Sequence, residues 1–449
     1  MRIDPATVPA VDPVVRRIPI ADGTREDLEA LLQAAVNLEL WTIPLYLTAL
    51  SSIQRDASHI ALPPERARHA RRSSTTVSRL LVSVALQEMY HLQLAGNIAR
   101  MFGVVPRLDW PAYDGRIPYV IGLPAGVTVA LGTANDVNTL RLMLAVETPD
   151  DPLPGHDRGE RDVPFFPFIQ YDGAGQPAYP SIGTLYSALL QLANRFRDQL
   201  QAGAPQLANG LFAAWYQHTG VLQPGSLGEA INIIVDQGEG AIGQQAAPID
   251  DPAAIPGQGN FADPFYAENH FSHCERFQLC LDNATRGVTV WPTTSAAASS
   301  SSSSPAQQHV SVVFDRLLAD LRAAWAGAAP SLEPMFLFRA ALAQVYIAGE
   351  IPTFAPPAPG SPTYDASVAA LAPATGARWA SQVQFFFTIT DIEGMKANHV
   401  SRVDLASQTS VAANQGAIAA LAADAQMPPG ELNVWSAAQQ ASFAGWKGD

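Results

Sequence analysis

Two long stretches of the chain are apolar on nearly every face a helix could present. The first runs from about Thr24 to Ile53 and includes Leu31, Leu32, Ala35, Val36, Leu38, Leu40, Ile43 and Leu45. Thr24, followed by Glu26 and Asp27, supplies a polar cap and an acidic first turn. The second runs from roughly Ser73 to Phe102 and ends at Gly103, with Leu80, Leu81, Val84, Leu86, Leu92, Leu94, Ala95 and Ile98. A helix with no polar face lies among other helices, so this pair predicts the centre of a bundle. Pro44 leaves the Leu40 carbonyl without its usual donor, which predicts a kink in the first helix.

Helical periodicity recurs more weakly at about 139–146, 182–201, 226–236, 264–281, 310–326 and 332–348. Between Pro106 and Pro180 the chain is rich in Pro, Gly and Asp, which predicts irregular structure with short strands at most. Residues 293–308 carry an unbroken serine run, Ser299 to Ser304, and read as a loop. The fold class expected is mainly α: a helical bundle over residues 1–350 with irregular Pro/Gly-rich insertions, a Pro-rich linker at 351–382, and a small helical C-terminal unit at 383–449.

Composition sharpens this picture in three places. The 27 basic residues against 41 acidic ones argue against a nucleic-acid partner, which needs concentrated Lys and Arg. The one basic cluster, Arg66 to Arg72, reads as a solvated helix start. The two cysteines, Cys274 and Cys280, sit six apart on one expected helix and point in different directions, so no disulfide is implied. With no signal-like start and no long uninterrupted apolar run, the expectation is a cytoplasmic chain with no membrane partner.

The chemistry concentrates on the same apolar helices. Glu88 and His91 are three apart, so they share a face and can hold one metal ion. Their neighbours Val84, Ala85, Leu92 and Ala95 make an ionised carboxylate there costly unless it is paired or metal-bound. Glu39 stands in the same predicament among Ala35, Val36 and Ile43. A third contribution comes from His270 and His273, again three apart; Glu268 lies about 140° round the helix from His273 and fits less well. The expected ligands are Glu39, Glu88, His91, His270 and His273, with Glu147, Glu239 and Glu268 in second rank. Carboxylate and imidazole ligands between helices suit iron, with manganese as the other candidate.

Several stretches carry a family resemblance: "AAVNLELWTIPLYLTAL", "VALQEMYHLQLAGNIARMFG", Glu147-Thr148-Pro149, "SIGTLYSALL", "VDQGEGA" and "SHCERFQLC". In that order they resemble the ferritin-like domain family related to iminophenylpyruvate dimer synthase of violacein-type pathways. The resemblance spans roughly Thr24 to Ala348. It implies a ferritin-like bundle in which Glu39 is the first-helix ligand, Glu88 and His91 form the Glu-x-x-His, and His273 is the His before Arg276-Phe277. Two positions depart from the pattern: Thr184 stands where an acid is expected, and His270 where a Glu usually precedes the His. Both departures imply fewer bridging carboxylates and a mononuclear or asymmetric centre. The C-terminal "TITDIEGMKANHVSRVDL", "AANQGAIAAL" and "MPPGELNVWSAAQQASFAGW" resemble a small helical module appended to several bacterial oxidases, and its Met-Pro-Pro-Gly followed by Trp435, Phe443 and Trp446 resembles the end of cytochrome-c-like modules, without a haem-attachment motif.

The function expected from these readings is metal-dependent oxidation of a small amino-acid-derived molecule, such as coupling of an imine or indole, with dioxygen or peroxide as the second partner. No individual catalytic residue and no oligomeric state follows from the sequence. Two rival readings are a non-catalytic ferritin-like scaffold with a degenerate metal site, and haem held by one of the same histidines.

Overall fold

The computed structural model describes residues 14–53, 64–148, 166–208, 220–238, 272–284, 287–293, 304–329 and 333–371. Helix α1 (Arg25–Ser51) is closed at its N-terminus by a capping box, in which the Thr24 hydroxyl accepts from the Asp27 amide and the Asp27 carboxylate accepts from the Thr24 amide. The helix runs continuously through Pro44, and 23 of its residues, from Asp27 to Ser51, are buried. It is the one described helix long and apolar enough to cross a membrane, and the fold itself covers it.

Helix α2 (Pro64–Met101) pairs with α1 along the core. It begins nine residues before the apolar periodicity does, so the Arg-rich segment belongs to its first turns. Gly96 lies on α2 where a Cβ would overlap the indole of Trp325, so the glycine is what lets that ring lie against the helix. The Trp325 Nε1 donates to Asn97 Oδ1 at 3.0 Å, and Asn97 Nδ2 also holds the carbonyls of Leu207 and Gly220.

Shorter helices complete the bundle. Helix α3 (Val137–Val146) is capped by Asp136, and α4 (Ile182–Arg195) by Ser181. Helices α5 (Leu227–Gly238) and α6 (His273–Ala284) both pack on α2; α6 also packs on α3, and α4 on α1 and α5. Helices α7 (Pro305–Trp325) and α8 (Glu333–Ile347) form a further pair, with α8 against α1. Ser304, assigned to the serine loop by sequence, is the N-cap of α7, and Pro305 takes the first helical position where its missing N–H costs nothing.

A short strand falls in the segment where short strands were expected, and one expectation changes. The segment 106–180 contains a strand, β2 (Phe168–Asp172), paired antiparallel with β1 (Val14–Pro19) near the N-terminus, with a bulge between Val14 and Arg16. The residues expected as a Pro-rich linker fold onto the bundle as far as Leu371. Gln307 donates to the Ile351 carbonyl, Phe354 packs against Phe314 and Phe338, and a last helix, α9 (Tyr364–Leu371), lies on α7 and α8. The proposed C-terminal unit at 383–449 lies outside the described residues.

Candidate metal centre

Five ionisable side chains from four helices converge at the centre of the bundle: Glu39 on α1, Glu88 and His91 on α2, Glu147 at the C-cap of α3, and His273 at the start of α6. None is more than 2% exposed. One ligand atom each from Glu88, His91 and His273 lie within 4.8 Å of one another.

The centre divides into two half-sites that share Glu88. In one, His91 Nδ1 lies 3.3 Å from Glu88 Oε1 and 3.7 Å from Glu39 Oε2. In the other, His273 Nδ1 lies 2.8 Å from the same Glu88 Oε1 and 3.6 Å from Glu147 Oε1. Each outer carboxylate has its own tyrosine: Tyr186 on α4 donates to Glu39 Oε1 at 2.6 Å, and Tyr46 on α1 donates to Glu147 Oε1. The Thr42 hydroxyl lies 2.5 Å from Glu88 Oε2. Glu39 and Glu88 are thus each held through one oxygen, leaving the other turned inward. Gly238 makes room for Glu147, since a Cβ there would sit 3.1 Å from Oε2.

The far side of each imidazole meets a glutamine: His91 Nε2 is 2.9 Å from Gln237 Oε1, and His273 Nε2 is 3.0 Å from Gln87 Oε1. Arg276 Nη1 donates to the same Gln87 oxygen at 2.8 Å. Arginine can only donate, so that contact fixes which end of Gln87 is the carbonyl, and His273 Nε2 must carry a hydrogen. If the ring is neutral, the Nδ1 lone pair points at two carboxylate oxygens. Its 2.8 Å approach to Glu88 also lacks hydrogen-bond alignment. Such an approach is repulsive unless a cation stands between the atoms.

The electrostatics show how strongly these groups act on one another. Burial, and then the charge of Glu88, push the Glu39 carboxyl well above its usual range, and the Tyr186 hydrogen bond only partly offsets them. Burial opposes ionisation of Glu88 too, but its contacts with His273 and His91 prevail and hold it far below the ordinary value. Burial would lower His273, yet the charge of Glu147 and contacts with Glu147 and Glu88 raise it. Burial and adjacent carboxylates raise Tyr46 and Tyr186, which keeps both as hydroxyl donors. A buried carboxyl ionises only with positive charge beside it, and these donors, hard oxygens with imidazole nitrogens, fit iron or manganese.

Of the residues expected from sequence, Glu39, Glu88, His91 and His273 come together, and Glu147 joins them from second rank. His270, Glu268 and Glu239 lie outside the described residues. Thr184 has a structural reason: it is the third residue of α4 and closes a capping box with Ser181. Glu147 brings a third acid to the centre, so the described donors are three carboxylates and two imidazoles. Sequence reasoning missed Tyr46, Tyr186, Gln87 and Thr42. Gln87 is next to Glu88, Thr42 three residues after Glu39, Tyr186 two after Thr184 and Tyr46 seven after Glu39, all inside helices where they read as packing.

Comparisons with known proteins agree with this architecture. Residues 32–279 match the family model described as Ferritin-like. A crystal structure of a ferritin-like protein from Caulobacter vibrioides superposes with a TM-score of 0.51 at 24% identity, covering 74% of this chain and 99% of that one, a likeness of fold. No curated protein matches the chain.

Proposed function

The chain belongs to the ferritin-like family, and from that premise we propose that it is a metal-dependent oxidoreductase whose buried centre takes two iron ions around Glu88. The observation that carries this reading is the convergence of three carboxylates and two imidazole Nδ1 atoms, each imidazole facing Glu88 and one outer Glu. Glu39 and His91 would hold one ion, Glu147 and His273 the other, with Glu88 between them. The paired half-sites favour this over the mononuclear or asymmetric centre that Thr184 and His270 imply. When bound, iron supplies the redox change that lets dioxygen or peroxide act as oxidant.

The chain's own residues do the rest. Tyr46, Tyr186 and Thr42 fix the carboxylates, and Gln87 and Gln237 hold the ring planes by accepting the N–H of each outer ring nitrogen. The apolar walls of α1 and α2 keep bulk water away, which strengthens every charge interaction inside. The substrate we propose is a small amino-acid-derived molecule, an imine or indole, and the reaction an oxidative coupling or dehydrogenation; the motif resemblance to the iminophenylpyruvate dimer synthase relatives supports this choice. The scaffold reading loses the support of Thr184, whose role is capping.

Elemental analysis of freshly purified protein beside Glu88→Ala and His273→Ala tests the reading. About two irons per chain in the wild type, with loss in both variants and no Soret band, is the expected result. A wild type that stays empty when offered iron under reducing conditions refutes it.

A further inference from the structure

Among the described residues, each half-site pairs an imidazole with Glu88, an outer Glu, a tyrosine and a glutamine, and the two differ behind the imidazoles. His91 Nε2 donates to Gln237 Oε1, which accepts from it alone among the described residues. His273 Nε2 donates to Gln87 Oε1, and there the guanidinium of Arg276 donates as well, at the shorter distance of 2.8 Å against 3.0 Å. The group that accepts a ligand imidazole's outer N–H sets how much electron density the inner nitrogen can give a metal. An amide oxygen already polarised by a cation gives less to a second donor. Both Gln87 and Arg276 are buried, so solvent does not level the difference.

We infer that the centre binds its two ions with unequal affinity, the His91 half-site filling first, and that the Gln87–Arg276 contact sets the gap by weakening His273 as a ligand. Gln87 and Gln237 are therefore positioning residues of unequal strength, and the ion at His273 is the more readily exchanged. This rests on the two-ion reading above, but concerns the order of loading rather than its existence.

The test is a Co(II) titration of the chelator-stripped full-length protein, followed by visible absorption with equilibrium dialysis for stoichiometry. Two steps are expected, the second weaker by about tenfold or more. Gln87→Glu is nearly isosteric and keeps both Arg276 and His273 as donors. It places a full carboxylate behind His273 and is expected to strengthen the second step by about tenfold, narrowing the gap. Gln237→Glu is expected to strengthen the first step and widen it. A single step, whether for one ion or for two of equal affinity, overturns the inference while leaving a metal centre in place. So does a Gln87→Glu variant that strengthens the first step. Uptake of no cobalt at all overturns the metal-centre reading, and this inference with it.

Discussion

Replacing Glu39 by Gln is expected to have opposite consequences with and without metal. In the stripped protein, Glu39 is buried beside Glu88, and burial together with that neighbour's charge opposes its ionisation. An acid whose folded value is raised above its unfolded value lowers stability as pH rises above the unfolded value, near ~4.3. The amide of Gln keeps an oxygen for the Tyr186 hydroxyl, so the substitution removes the charge while retaining that bond. Relief of an imperfectly compensated buried charge is worth about 1–3 kcal/mol. For a bundle of this size that raises the stripped protein's Tm by roughly 1–4 °C. With metal the balance moves the other way. Free metal at 100 times its Kd adds about 2.7 kcal/mol to the wild type. A hundredfold weaker site gains only about 0.4 kcal/mol at that concentration, so metal removes about 2.3 kcal/mol of the variant's advantage. Differential scanning calorimetry at pH 7, with chelator and with Fe(II) under anaerobic conditions, reads both arms. A stripped variant less stable than wild type, or one that metal stabilises equally, refutes the argument that Glu39 is kept for a cation.

Three further outcomes follow from named contacts. Thr42→Val removes the hydroxyl 2.5 Å from Glu88 Oε2 without changing shape, and should weaken metal binding by about 10–100-fold in chelator competition with the helical far-UV spectrum unchanged. Gly96→Ala gains about 1 kcal/mol of helix propensity but forces its methyl into the Trp325 indole, and should lower stability in urea by a net of about 1–2 kcal/mol. Burial would raise Asp27, yet hydrogen bonds from Tyr171 and Thr24 bring its carboxyl below the usual value. Its contribution is therefore fully present above an unfolded value near ~3.9 and lost as pH falls through the lower folded one. Asp27→Asn should accordingly be about 1 kcal/mol less stable near neutrality, with the difference in urea midpoint closing in acid.

The central helix pair and its acids could be read from the chain because the signal there is local. An acid amid Ala35, Val36 and Ile43, or a Glu and His three apart amid leucines, is conspicuous without knowing what lies opposite. Glu147 was harder to rank, since it ends a ten-residue helix in an irregular segment and its role depends on Tyr46, 101 residues away. Tyr46 and Tyr186 look like ordinary core aromatics until the carboxylates they serve are placed. Strand β1 escaped notice for a related reason: its partner β2 begins about 150 residues later, and six residues carry too little alternation to stand alone. The packing of Phe354 between Phe314 and Phe338 likewise overrode a proline content that suggested a spacer.

The spread of the ligands along the chain has a kinetic side. Glu39 and His273 stand 234 residues apart, and between them the bundle must bring α1, α2, α3 and α6 into register before any ion has all its donors. Contacts of such sequence separation form late, because chain closure precedes the reward. An ion held there is absent from the folding transition state and present in the native one. It therefore leaves the rate of folding untouched and slows escape from the native state, acting as a latch closed after assembly. Under the two-iron proposal, a cell short of iron makes this protein at the normal rate and loses it faster.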